Sequence, residues 1–326
     1  MTLLATTVLT DLPPLPLWAW LAFFVFIAAM LALDLGVFHR GSNIVKTKEA
    51  LIWCGVWSGL AFAFCGLLSV WRGGETAQQF LAGYLIELCL SVDNVFVFIL
   101  VFAYFRVPQE WQHRVLFWGI IGAVVMRAIF ILVGVSVLAR FHWVIYIFGA
   151  FLIYTGVKMA LAGNGEGDVD PEKNLAVRLF RRLFPVSPTM DGGKFFTIIN
   201  GRRVATPLFI VLIVVESTDL VFALDSLPAV LAITQDGFVA LTSNIFAILG
   251  LRSLYFALSG IMQLFRFLKI GLSVILIFIG VKMLIEYFQI HIGTTVSLSV
   301  IGGVLVTSVL ASVLIKESPK AGHPGH

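Results

Sequence analysis

Five carboxylates stand inside apolar runs long enough to cross a bilayer. Glu87 and Asp93 belong to Glu87-Leu88-Cys89-Leu90-Ser91-Val92-Asp93-Asn94. Glu216, Asp219 and Asp225 belong to Glu216-Ser217-Thr218-Asp219-Leu220-Val221-Phe222-Ala223-Leu224-Asp225-Ser226. A carboxylate at membrane depth costs several kcal/mol unless it meets a cavity, a partner or an ion. Asn94 and the neighbouring hydroxyls complete a hard, oxygen-rich donor set. Such a set suits magnesium, calcium or manganese rather than copper or zinc, which favour imidazole and thiolate.

Helical geometry sorts these groups by face, at about 100° per residue. Glu87, Ser91 and Asn94 share one face, and Cys89 and Asp93 share a neighbouring one. Glu216, Asp219 and Ala223 fall together, with Asp225 opposite. Pro228 clashes with the carbonyl of Leu224 and removes a donor. The sequence therefore predicts a kinked or unwound segment there, which turns Asp225 back toward the same ion. Asp34, Arg127 and Arg252 are further charges within apolar runs, read as a gate or as ion pairs. His323 and His326 belong to a polar tail and are not taken as ligands.

Composition bounds the elements that position these side chains. Of 326 residues, 60% are apolar and 12% charged, about half the charged share of a soluble protein. This excludes a soluble enzyme and gives an all-α polytopic membrane protein. The net charge of +4 does not point to nucleic acid, because the basic residues fall between spans. Cys54, Cys65 and Cys89 lie in apolar runs and read as packing residues, with no disulfide framework. The first fifteen residues lack a positive region and do not read as a cleaved signal.

Nine spans of about 20 apolar residues are expected, at 16–38, 49–71, 79–105, 114–137, 142–160, 205–233, 238–260, 270–288 and 295–315. Residues 1–15 precede them, 161–204 form a central hydrophilic loop, and 316–326 form a tail. In the loop, a short basic helix from Asp170-Pro171 to Arg182 precedes a hairpin turning at Asn200-Gly201, the favoured two-residue turn. Seventeen Lys and Arg fall on the side holding this loop and three on the other, with two inside spans. The positive-inside rule then places the N-terminus outside and the loop and C-terminus in the cytoplasm.

An internal repeat organises spans 3–8. Ser91-Val92-Asp93 matches Ser217-Thr218-Asp219, Arg127 matches Arg252, and Gly156-Val157-Lys158-Met159 returns as Gly280-Val281-Lys282-Met283. Spans 3–5 thus repeat as spans 6–8. Three spans per unit is an odd number, so the second unit is inverted relative to the first, as in many transporters. The repeat makes Asp93 and Asp219 equivalent, and they are expected to face each other across one ion.

At these residues the sequence resembles the TerC family of bacterial integral membrane proteins, most closely its Alx branch. The resemblance covers about residues 16–315. It runs through GYLIE at 83–87, SVDNVFV at 91–97, YIFGAFLIYTGVKMAL at 146–161, ATPL at 205–208, ESTDLVFALDSLPA at 216–229, LTSNIFAILGLRSLYF at 241–256 and GVKMLI at 280–285. It implies a manganese exporter of the bacterial inner membrane, in a family named for tellurium resistance. It carries Glu87, Asp93, Asn94, Glu216, Asp219 and Asp225 over as metal-site residues.

The reading is therefore a divalent-cation exporter working by alternating access, with metal–proton antiport as its natural coupling. It is not an enzyme, it has no prosthetic group, and Mn2+ is its substrate. Its partners are the ion and the bilayer. The alternatives are an exporter of another solute such as a cationic amino acid, an intramembrane aspartyl protease, which lacks its GxGD motif here, and a membrane assembly factor docking through the central loop.

Overall fold

The computed structural model describes residues 16–38, 47–141, 143–161, 174–199, 201–259, 267–285, 288, 290 and 292–314. Nearly all of them are helical, because a backbone in lipid has to satisfy its own polar groups. The chain begins with α1 (Leu17–Phe38), apolar over Leu17–Ala32. Then come α2 (Thr47–Arg72), α3 (Gly74–Tyr104), α4 (Gln109–Arg140) and α5 (Val144–Leu161). A short α6 (Leu175–Leu183) precedes α7 (Pro207–Leu231), α8 (Gly237–Leu249), α9 (Leu251–Leu258), α10 (Leu268–Ile285) and α11 (Thr294–Leu314). With α8 and α9 taken as one span, eight of these helical segments are long and apolar enough to cross a membrane among the described residues. The protein is an all-α, multi-pass membrane protein.

The helices are apolar outside as well as inside. On α4, Val125, Ile129, Leu132 and Val133 are exposed, while Ala123, Arg127 and Ile131 are buried. In water such a surface would drive aggregation; in a bilayer it is the lipid-facing side. The α8–α9 span is the most enclosed, with every residue of α8 from Phe238 to Leu249 buried. It lies against α2, α3 and α4. Helix α3 touches α2, α7, α8 and α11, and α5 packs along α10.

Small residues let these backbones approach. A Cβ on Gly280 would meet the carbonyl oxygen of Gly149 at 2.6 Å, and one on Gly149 would meet that of Gly280 at 3.0 Å. In the same seam a Cβ on Gly156 would lie 2.9 Å from the Ser273 carbonyl oxygen. On the other side of the bundle, Gly83 of α3 lies under Ser243 of α8, and Gly119 of α4 lies under Val215 of α7. This close packing of small residues is how membrane helices associate without a hydrophobic driving force between them.

Helix α7 opens with Pro207 in its first turn, where a missing N–H costs nothing. It then runs as α-helix through Pro228 to Leu231. The expected unwinding near Leu224 is absent. Proline is accommodated in membrane helices where neighbours compensate the freed carbonyl, and only one turn of helix follows Pro228. Between α6 and α7, strands β1 (Phe196–Ile199) and β2 (Arg202–Ala205) pair antiparallel. Gly201, at φ +76°, supplies the positive φ of their turn.

One polar seam ties the ends of α2, α3, α7 and α8. Asp236 caps α8 by accepting from the amides of Phe238 at 2.9 Å and Val239 at 3.2 Å. Its other oxygen accepts from Arg72 Nη1 at 2.6 Å. Thr234 donates to Gln79 Oε1 at 2.8 Å alongside.

Candidate carboxylate site

The face of α3 that carries Glu87, Ser91 and Asn94 turns into the bundle, and all three are buried. Opposite them α7 presents Asp219 and Ser226, α4 presents Arg127 and α8 presents Asn244, each 2% exposed. Glu87, Asp219 and Arg127 lie near the middles of their helices, and Ser226 and Asn244 lie within the last two turns of theirs.

Arg127 is the hub. Its Nη1 donates to Glu87 Oε1, to Ser226 Oγ at 3.2 Å and to Asn244 Oδ1 at 3.2 Å. Its Nη2 reaches Asp219 Oδ1 at 3.5 Å. Asn244 turns its amide back to Glu87 Oε2 at 2.8 Å, and Asn94 Nδ2 donates to Asp219 Oδ1 at 3.2 Å. One guanidinium thus holds two carboxylates from two helices in a buried interior. Removing the guanidinium from such a cluster is costly, because it strands the carboxylates that remain.

The pairing is incomplete. Asp219 Oδ2, Asn94 Oδ1 and Ser91 Oγ are buried with no hydrogen-bond partner among the described residues. All three are oxygens, two belong to side chains bonded to each other, and Ser91 is one turn from Asn94. Buried oxygens left without donors are a place for a cation. The described residues hold no group of three His, Cys, Asp or Glu side chains spaced as a metal cage. Arg127 stands between the carboxylates instead, so an ion has to compete with it.

The remaining sequence-derived residues are spread around this cluster. Glu216 lies one turn before Asp219, half-buried, with its carboxylate against Gly122 of α4. Asp93 stands apart. It is half-buried on the neighbouring face of α3, near Cys89, and the opposite charge acting on it is Lys269 of α10. The expected confrontation of Asp93 with Asp219 is replaced by one of Asn94 with Asp219. The reason is the helix itself: one residue turns the side chain by about 100°. Arg252 is buried in α9. Asp225 belongs to α7 and Asp34 to α1, and both side chains lie outside the described residues, as do His323 and His326.

Cys89 and Cys54 line a different space, a cavity of about 240 Å³ behind α3, with Trp57, Tyr84, Leu254 and Val309. All three cysteines are free thiols.

Sequence reading passed over Ser226 and Asn244. The signal for Asn244 was present: an amide in the middle of Leu241-Thr242-Ser243-Asn244-Ile245-Phe246 is a polar group at membrane depth, which needs a partner there.

Comparisons with known proteins agree over most of the chain. Residues 72–320 match the family model described as "Integral membrane protein TerC family". An uncharacterized membrane protein of Myxococcus xanthus is 53% identical over 296 residues, covering 90% of this chain and 92% of the relative. A protein of Escherichia coli K12 named "Putative membrane-bound redox modulator Alx" is 47% identical over 305 residues, covering 91% of this chain and 94% of the relative. An uncharacterized membrane protein of Rickettsia bellii is 39% identical over 298 residues, covering 91% and 98%. No solved structure matches the chain. With a family model spanning most of its length and relatives aligned nearly end to end, the chain belongs to the TerC family of integral membrane proteins.

Proposed function

We propose that the protein exports a divalent cation, manganese first among candidates, from the cytoplasm by alternating access. The observation that carries this reading is the orphaned Asp219 Oδ2, buried at membrane depth beside the orphaned Asn94 Oδ1 and Ser91 Oγ. These three oxygens, with Glu87 and Glu216 nearby, receive the ion. Asp93 and Asp225 serve the path of the ion.

In the empty state Arg127 neutralises Glu87 and part of Asp219, so the carboxylates do not repel one another. An arriving dication competes for the same oxygens. Arg127 then shifts its hydrogen bonds toward Ser226 Oγ and Asn244 Oδ1, which it already touches. Carboxylates that are protonated before the ion binds lose those protons on binding, which couples export to proton entry.

Paired close approaches support an inverted repeat beneath this cycle. The contacts Gly149–Gly280 and Gly156–Ser273 exchange when each α5 residue is mapped 124 positions on. Gly83–Ser243 and Gly119–Val215 exchange with a shift of 124 for α4 and 132 for α3. The second shift pairs Glu87 with Asp219 and Asp93 with Asp225, six residues away from the register read in the sequence. Arg127 then bridges two equivalent carboxylates, as an ion at the repeat interface would. Orientation follows the basic residues, with 161–204 in the cytoplasm.

The test is manganese flux into proteoliposomes, run against magnesium, calcium and a cationic amino acid. Saturable manganese uptake that Asp219→Asn abolishes supports the reading. Uptake of the amino acid without manganese would replace it.

A further inference from the structure

Helix α6 has three faces. At about 100° per residue, Val177 and Phe180 form one face, packed inward: Val177 is buried and the Phe180 ring lies 5.2 Å from that of Phe209 in α7. Leu175, Leu179 and Leu183 form a second, 79%, 58% and 66% exposed. Arg178, Arg181 and Arg182 form the third. The helix lies along the first half of α7 in the opposite sense. Its cap, Asn174, donates to Ser217 Oγ at 2.7 Å, ten residues into α7, or about 15 Å along that helix. The leucine stripe therefore runs beside α7 from about Ser217 to the region of Phe209, alongside the first half of a helix apolar enough to span a membrane.

The hairpin shares this position. Phe196 packs on the same Phe209 at 4.6 Å, and Ile198 is 70% exposed. Across residues 174–205 the charges are six basic and one acidic, Asp191. Among the described residues Arg178, Arg182, Lys194, Arg202 and Arg203 make no ion pair with a carboxylate. An exposed apolar stripe along a membrane-spanning helix, bordered by arginines, suits a partner with an acyl chain and an anionic head.

We propose that α6 and the hairpin form a binding surface for anionic phospholipid, with acyl chains on the leucine stripe and phosphates on Arg178 and Arg182. The long arginine stems lie along apolar surface and carry their heads to the phosphate level. The surface differs from the carboxylate site in partner and in sign of charge. Because Asn174 holds Ser217, next to Glu216, lipid bound there sits one hydrogen bond from the carboxylate helix.

The test is hydrogen–deuterium exchange of the full-length protein in nanodiscs of phosphatidylcholine with and without phosphatidylglycerol. Amides of residues 176–183 are expected to exchange about thirtyfold more slowly with the anionic lipid, the factor set by two basic residues at about 1 kcal/mol each. The double variant Arg178→Gln, Arg182→Gln should reduce that difference below about twofold, with α7 amides unchanged as the folding control. Leu179→Asn should speed exchange in both discs. Equal protection of the wild type in both lipids would overturn the proposal. So would protection that depends on a second copy per disc, which would make the surface a self-interface.

Discussion

Asn94 donates from Nδ2 to Oδ1 of Asp219 at 3.2 Å, and among the described residues neither the amide oxygen of Asn94 nor the second carboxylate oxygen of Asp219 has a partner. One polar contact between α3 and α7 thus fixes two side chains and leaves two acceptors in a dry interior. A structural hydrogen bond alone would not require the spare oxygens. Their presence beside a guanidinium that bridges Glu87 and Asp219 is the basis of the expectations that follow.

Asp219→Asn keeps the shape of the side chain and removes its charge. Manganese flux in proteoliposomes is expected to fall by at least about tenfold, the cost of one charge-assisted contact. Thermal stability should move little, because the amide still accepts from Asn94. Unchanged flux would show that the orphaned oxygens are not the ion's.

Arg127→Met leaves Glu87 and part of Asp219 without their counter-charge. Destabilisation of about 3–5 kcal/mol is expected, read as a lower melting temperature in detergent. Adding Glu87→Gln should recover a large part of it, since the second change removes the stranded charge. Failure of the double variant to recover would mean that Arg127 acts by packing and not by charge.

Asp93 lies away from the Arg127 network and near Lys269. Asp93→Asn is therefore expected to raise the KM for manganese while changing stability by less than about 0.5 kcal/mol, as substitutions outside a buried network do. A loss of maximal flux of at least about tenfold, like that expected for Asp219→Asn, would bring Asp93 back to the central ion.

Gly280→Val places side-chain atoms against the Gly149 carbonyl, where even a Cβ stands 2.6 Å away. A loss of about 1–3 kcal/mol is expected from overpacking. Gly156→Val should cost a similar amount if the α5–α10 seam is symmetric. A silent change at one position and a severe one at the other would argue against equivalence.

Orientation has its own check. Glu75 opens α3 at the end where Thr234 meets Gln79, and Ile198 sits in the hairpin at the other end of α7. In intact cells an impermeant maleimide should label Glu75→Cys and spare Ile198→Cys. The reverse pattern would invert the assigned direction.

Apolar runs made the helices legible in the sequence, since lipid leaves a spanning chain few other options. The polar cluster was legible as a set of residue types, because Glu87, Asn94 and Asp219 stand out against leucine and valine. Which of them meet was not. Two acidic stretches of nearly the same composition align at a shift of 126 through Ser-x-Asp and at 132 through packing. Only contacts such as Gly83 with Ser243 favour the second. The local cost of Pro228 is visible in the sequence, and the neighbours that absorb it are not. Asn244 shows in the sequence as a lone amide among apolar residues, and only the fold brings that amide to Glu87.

The Arg72–Asp236 pair has a consequence for the medium in which such a protein works. Its side chains are 8% and 21% exposed and its charges meet at 2.6 Å. A partly buried pair at that distance lies well inside the Debye length of about 8 Å at physiological salt, so dissolved ions screen it little. The clasp between α2 and the start of α8 therefore keeps nearly the same strength in dilute and in saline media.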